Sequence, residues 1–303
     1  MISMYCYKDL NAAAVADPAA LCRKSEEGYF RQISEISDGI AAHLETSRIA
    51  LLCGPSSAGK TTTAGNITRA LAEKGIPCHV ISLDDYYLDI HDDYPKNPDG
   101  SYDFESPYCL DIPLLKAHFR AIELGEPIEI PHFSFTERRR SDKKTVIDPD
   151  DGVVLYEGIH ALNPTVMGDE VERAFGIYIH IGSEIYDGDE LLLPKNYMRL
   201  CRRIVRDRRS RGTPTGRTID MWPSVRAGEH KYILPGKPLA DYVLNSFHPC
   251  EAGVFRPLIF SALEGVEHPM ADALRSAYDK FVEISPANVS DTSLLREFIG
   301  DLK

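Results

Sequence analysis

Eight consecutive residues, Gly54-Pro-Ser-Ser-Ala-Gly-Lys60-Thr61, constrain this chain more than any other feature. They match GxxxxGK[ST], with an apolar run (Ile49 to Cys53) before them and a helical pattern (Thr61 to Lys74) after, stopped by Gly75 and Pro77. Small residues and glycines let successive backbone N–H groups converge on a phosphate, and the helix that follows adds the partial positive charge of its N-terminus. Gly54, Ser56, Ser57, Ala58 and Gly59 would line that cradle, continued by Lys60, Thr61 and Thr62. In such a loop the lysine reaches the β- and γ-phosphates and the first hydroxyl ligates Mg²⁺, which gives Lys60 and Thr61 those roles. The expectation is a nucleoside triphosphate site with ATP and Mg²⁺.

The rest of the pattern sets the frame. Cys78 to Leu83, Gly152 to Gly158, Phe175 to Ile181 and, more weakly, Ala240 to Leu244 are short apolar runs. Such runs suit strands buried on both faces, and they alternate with helical segments at 111–124, 196–211 and 271–284. The predicted fold is therefore α/β: a P-loop NTPase with a parallel β-sheet flanked by helices. Ile128 to Ile130 and Thr145 to Ile147 predict a small substrate-side hairpin within a segment at about 88–147, whose first part is a long Asp-, Pro- and Tyr-rich loop. Residues 1–47 are expected to be an N-terminal helical extension, an irregular start followed by a helix over 24–45; residues 48–303 form the kinase-like domain. The C-terminal helices are most simply packing elements.

Phosphoryl transfer to a hydroxyl needs a carboxylate beside that hydroxyl and an acid serving the metal. In a parallel sheet such groups gather at the carboxyl ends of the strands. Asp84 and Asp85 follow the second strand and Glu157 ends the Gly152 to Tyr156 run, so all three are expected on the loop's side. Between Lys195 and Arg217 nine Lys/Arg face a single acid, Asp207, although the whole chain carries −12. Leu200, Cys201, Ile204 and Val205 make an apolar stripe there, while Arg199, Arg203 and Arg206 share another face, widened by Arg202, Arg209 and Arg211. A helix so basic would repel itself unless anions lie near. A helical lid over about 195–217 that closes arginines on the triphosphate fits better than a solvated charged face.

Net acidity argues against a nucleic-acid partner. No eighteen-residue apolar stretch predicts a membrane span, and Met1 to Leu10 lacks the basic start and apolar run of a signal peptide. Seven cysteines without a CxxC pair point to reduced thiols and a cytoplasmic location. A homo-oligomer is left open.

Taken in order, GPSSAGKTTTA (54–64), ISLDDYY (81–87), YDFESP (102–107), VVLYEGIHAL (153–162), RLCRRIVRDRRSRG (199–212), WPSVRAGEHKYILP (222–235) and ADYVLNS (240–246) resemble the uridine kinase-like nucleoside kinases, relatives of phosphoribulokinase and bacterial pantothenate kinase. The likeness spans roughly 25–300 and looks nearest to the long bacterial uridine kinase-like subgroup, here without that subgroup's upstream TGS segment. It implies Asp84 as base toward a sugar 5′-hydroxyl, Glu105 on the ribose hydroxyls, Tyr87 as a substrate-side aromatic, and Arg203, Arg206 and Arg211 as lid arginines. Catalysis then falls to Asp84, Lys60 and Arg206, and the metal to Thr61 with Asp84 or Glu157. A further family arginine is replaced by Thr213, and the family's base-reading tyrosine and histidine by Phe133 and Arg138. The implied acceptor is a nucleoside, uridine or cytidine by default. Another small alcohol, such as a sugar phosphate or a pantothenate-like molecule, and a nucleotide-binding regulator with little turnover are the alternatives. The absence of an NKxD motif disfavours a GTPase switch.

Overall fold

The computed structural model describes residues 3–90, 93–97, 99–134, 137–149 and 152–300. The chain opens with a short strand, β1 (Ser3–Cys6), and two helices, α1 (Tyr7–Ala16) and α2 (Pro18–His43). Helical structure thus begins far earlier than residue 24, and a strand precedes it. The cause lies in Asp17-Pro18: the Asp17 side chain accepts from Ala20 N–H while Pro18 occupies the first helical turn, a paired start signal for α2.

β2 (Ile49–Cys53) runs into the loop and α3 (Lys60–Glu73) leaves it; β3 (Cys78–Ser82) follows. Next come α4 (Ile112–Glu123), capped by Asp111, and the hairpin of β4 (Ile128–Ser134) and β5 (Arg139–Ile147). The hairpin is longer than its apolar ends suggested, and its register shifts between Pro131 and His132. β6 (Val153–Gly158), two single-turn helices α5 (Pro164–Met167) and α6 (Glu170–Arg173), and β7 (Phe175–His180) lead to a second hairpin, β8 (Ser183–Asp187) and β9 (Glu190–Leu193). The remainder is α7 (Lys195–Ser210), α8 (Thr215–Gly228), β10 (Tyr242–Asn245), α9 (Glu251–Leu263), α10 (Pro269–Asp279) and α11 (Arg296–Ile299). The helix expected over 271–284 ends at Asp279.

Five parallel strands form the central sheet in the order β10-β7-β2-β6-β3. β2 lies in the middle, between β6 and β7; the chain passes from β2 to β3 on one side and later from β6 across β2 to β7 on the other, and at such a switch point ligands bind beyond the strands' carboxyl ends. Its side chains alternate between two cores: Ala50 and Leu52 join the helices α2, α3, α7 and α9, whereas Ile49, Leu51 and Cys53 join Tyr86, Phe119 and Tyr156. Both faces are dry, which is why these strands read as continuous apolar runs. A second sheet, β1-β8-β9, was not expected from sequence; β1 pairs in parallel with β8 from the far side of the chain. No helix is long and apolar enough to cross a membrane among the described residues.

The N-terminal helices belong to the first core. Tyr29, Ile33, Ile36 and Ile40 form one buried stripe of α2, and the Tyr29 hydroxyl meets Thr63 Oγ1 of α3 at 2.8 Å. Ile36 is fully buried. Ile36→Ala is therefore expected to lower unfolding free energy by about 2–4 kcal/mol, read by urea denaturation, while the affinity for ATP stays the same.

Candidate active site

The loop keeps its shape through two residues in the left-handed region, Ser57 at φ +61° and Gly59 at φ +101°. A Cβ on Gly59 would lie 2.5 Å from Leu294, so the position needs glycine for space as well as for conformation. Lys60 Nζ donates to Gly54 O at 3.0 Å, folding the side chain back over the loop. The first intrahelical bond is Thr63 N–H to Gly59 O, which leaves the amides of Lys60, Thr61 and Thr62 without an intrahelical acceptor.

Sheet register brings the carboxylates to this edge. Ser82 pairs with Glu157 and Leu52 lies opposite Glu157 on the other side. Ser82 Oγ donates to Glu157 Oε1 at 3.0 Å and accepts from Asp84 N–H at 3.4 Å, which fixes the turn that carries Asp84 and Asp85. Burial pushes the Glu157 carboxyl up to about 7, opposed by Lys60 and reinforced by Asp84. Glu105 is likewise pushed up to about 7 by burial, with Arg203 and Lys60 acting against the shift and Asp84 and Asp103 adding to it. Tyr87 is buried, and the charges of Asp84 and Glu105 join burial in raising its phenol. Lys60, Asp84, Tyr87, Glu105, Glu157 and Arg203 thus share one electrostatic neighbourhood.

Helix α8 presses on this group from outside: a Cβ on Gly228 would lie 2.5 Å from Glu105 Cβ. The Tyr232 hydroxyl donates to Asp103 Oδ2 at 2.9 Å. His160, buried near the Tyr232 ring, was not singled out from sequence; burial holds its imidazole neutral, pushed down to about 4. Its place three residues after Glu157, within an otherwise apolar run, was the available signal.

The acceptor-side residues are placed less uniformly. Phe133 packs on Tyr87 with ring centroids 5.5 Å apart, and its N–H donates to Asp85 Oδ1 at 3.4 Å. Arg140 pins the hairpin to the Asp84–Tyr87 turn through Tyr86 O, Tyr87 O and Asp111. Arg138 instead sits exposed on the hairpin turn at φ +56°. No contact among the described residues joins it to Asp84 or Glu105.

The basic helix differs most from expectation. Its anions are the protein's own. Arg199 forms a bidentate pair with Glu229 at 2.9 and 2.8 Å and donates to Ser56 O; Arg202 pairs with Glu251 at 2.6 Å through both nitrogens and donates to Ala58 O. These two arginines are walls of the loop, fixed in place. Arg203 donates to Ser56 Oγ at 2.9 Å. Asp207, the lone acid of the segment, gathers Arg203, Arg206 and Arg211 at 3.4, 2.8 and 3.7 Å.

The C-terminal segment does more than pack. Glu297 Oε2 accepts from Thr62 N–H at 3.1 Å, Thr292 O accepts from Asn66, and Arg209 donates to Glu297 O. A carboxylate therefore occupies the last free amide of the α3 N-terminus, beside the loop.

Among the described residues no three His, Cys, Asp or Glu side chains converge to hold a metal ion. Mg²⁺ binds one or two carboxylates and completes its shell with substrate phosphates and water. Thr61, Asp84 and Glu157 could supply oxygen donors at the loop, where burial, partly offset by Lys60, raises the Glu157 carboxyl.

A loop of this form, strand-end carboxylates and arginines held over them define a P-loop phosphotransferase. A family model described as "Phosphoribulokinase / Uridine kinase family" matches residues 49–251, and the chain belongs to that family. A uridine kinase of Halobacterium salinarum is 30% identical over 194 residues, 64% of this chain and 77% of that protein. A uridine kinase of Deinococcus deserti is 28% identical over 194 residues, 64% of this chain and 84% of that protein. Among solved structures, a kinase assigned to a fructose transport system of Silicibacter sp. superposes with a TM-score of 0.51 at 19% identity, over 70% of this chain and 98% of its own; that likeness speaks to the fold alone. The chain is an ATP-dependent small-molecule kinase, and kinases of this family use ATP and Mg²⁺.

Two outcomes follow. Glu297→Gln removes the competing charge at Thr62 N–H, so ATP should bind at least about fivefold more tightly in calorimetric titration. Glu105 holds its proton in the fold up to about pH 7 but loses it near 4.5 when unfolded. Between those values the folded state binds more protons, so its stability falls as pH rises. Glu105→Gln should thus gain thermal stability over the unmodified protein, by on the order of 2 kcal/mol at pH 8 and nothing at pH 4.

Proposed function

We propose that this kinase transfers the γ-phosphoryl group of ATP to the 5′-hydroxyl of a nucleoside, with uridine and cytidine as the default acceptors. The observation that carries this reading is the gathering of Asp84, Glu105 and Glu157 with Lys60 and Arg203 at the carboxyl edge of the sheet. The names of the relatives support a pyrimidine nucleoside.

In this reading the amides of Ser56 to Thr62 and Lys60 hold the phosphates. Thr61 with Glu157 or Asp84 would hold Mg²⁺, which would neutralise charge on the phosphate oxygens when bound. Asp84 accepts the hydroxyl proton as the oxygen attacks the γ-phosphorus, and the bond from that phosphorus to ADP breaks. Arg203, Arg206 and Arg211 exchange Asp207 for the transferring group and neutralise its developing charge. On the acceptor side, Glu105 accepts from ribose hydroxyls, and Tyr87 with Phe133 forms an aromatic shelf for the base. Arg138 has no part in this arrangement as the hairpin stands.

Asp84→Asn should cut turnover at least about 100-fold while leaving the dissociation constant for ATP within about threefold. Near-normal turnover would remove Asp84 as the base. Mass spectrometry on a panel of nucleosides, sugar phosphates and vitamin-like alcohols should show nucleoside monophosphates; a product from another class alone would replace the acceptor and keep the transfer.

A further inference from the structure

On the other side of the loop, a cavity of about 190 Å³ lies between the end of β7, the first turn of α7 and the segment 226–237. Its wall meets the phosphate loop only at Pro55. Lys195, Lys237, Arg226 and His180 all face it. The single carboxylate in the wall, Glu229, is already engaged by Arg199 and Arg226. Among the described residues no carboxylate pairs with Lys195 or Lys237, and Lys237 rests over the Tyr178 ring at 5.6 Å.

Two further features point into the same space. Helix α7 starts at Pro194 with no side-chain cap and no acid in its first turn. The amides of Tyr197 and Met198 both turn back to Pro194 O, which leaves those of Lys195 and Asn196, two residues of the cavity wall, without a helical acceptor. Tyr178, 1% exposed and part of the wall, has a hydroxyl with no hydrogen-bond partner among the described residues. A buried phenol normally finds one. The positive charge is felt locally: burial, then Lys237, Lys195 and Arg199, push the His180 imidazole down to about 4, and burial and Lys195 lower Lys237 as well.

We propose that this cavity is a second anion site, separate from the triphosphate loop, that binds the phosphate group of a small phosphomonoester. Two ammonium groups, free amides at a helix N-terminus and a phenol offer more donors than a monoanionic carboxylate can use, and they suit a dianion with several acceptor oxygens. The cavity leaves room beside the phosphate for a compact organic group. Occupancy would be felt at the loop through Arg199, which joins the wall of this cavity to Ser56 O. The ligand is thus placed as an effector of the kinase and not as its phosphoryl donor.

The test uses the full chain with Lys60→Ala, which weakens the triphosphate loop, and inorganic phosphate and glycerol 3-phosphate as calorimetric probes. Saturable phosphate binding should persist in Lys60→Ala, with glycerol 3-phosphate binding more tightly. Adding Lys195→Gln and Lys237→Gln should weaken both at least about tenfold, and Lys195→Arg with Lys237→Arg should restore affinity to within about threefold. Circular dichroism establishes that each variant is folded, and the arginine pair preserves charge if the glutamine pair does not fold. Either the lack of saturable binding in Lys60→Ala or an affinity unmoved by the two glutamines would overturn the assignment.

Discussion

The guanidinium of Arg202 holds the working edge of this protein together. It is completely buried, yet it makes two 2.6 Å bonds to Glu251, donates to Ser246 O and to Ser246 Oγ, and reaches the loop carbonyl of Ala58. The ring of Phe298 lies 5.1 Å away. One side chain thus links α7, the phosphate loop, the end of β10, the start of α9 and the C-terminal segment. A buried ion pair contributes little net stability against an apolar replacement, because desolvation offsets the attraction. Its effect is on geometry: its donors are satisfied together only while α7, the loop, Ser246 and Glu251 keep their mutual positions. The loop's carbonyls are held from behind, so its amides face forward.

That fixed frame explains how a pocket meant for a highly charged ligand holds together before the ligand arrives. Cations collected for phosphate oxygens repel one another, and buried carboxylates collected for a hydroxyl and a metal do the same. Each set here has a stand-in. Asp207 collects three arginines, Glu297 takes the amide of Thr62, and Lys60 lies on Gly54 O. Where no stand-in exists, protons serve: Glu105 and Glu157 are pushed up to about 7. The arginines that never need to move, Arg199 and Arg202, are those with buried bidentate partners. The division between fixed and releasable cations follows the partner and not exposure, since Arg203 is buried as Arg199 and Arg202 are but shares Asp207 with Arg206 and Arg211.

Much of the donor side was legible because it is local. The strand, loop and helix from Ile49 to Glu73 are contiguous, and the apolar runs ending at Ser82 and Gly158 needed only parallel pairing to set Asp84 and Glu157 beside them. What escaped is separated along the chain. Arg199 finds its acid 30 residues away and Arg202 finds its acid 49 away, so counting charges within 195–217 could not show that these two arginines are already paired. Glu297 stands 235 residues from Thr62, and β1 pairs with a strand it meets only after the whole central sheet is built. The α2 start was a missed local cue, since Asp17-Pro18 was present to be read.

The difference between donor and acceptor sides also has a physical root. Phosphate is gripped by backbone amides, which every residue supplies, and the loop tolerates change only where space or φ allows it, as at Gly59. The hairpin of β4 and β5, by contrast, has a second strand that is largely exposed along its length. Substitution there disturbs neither core, because Arg140, through Tyr86 O, Tyr87 O and Asp111, secures the hairpin independently of its tip. Arg138 is exposed on the hairpin turn, whereas the turn that carries Asp84 is tied to a strand end by Ser82. The sheet edge that carries Asp84 and Glu157 and the exposed strand of the hairpin are thus separate pieces, and the second can change without repacking the first.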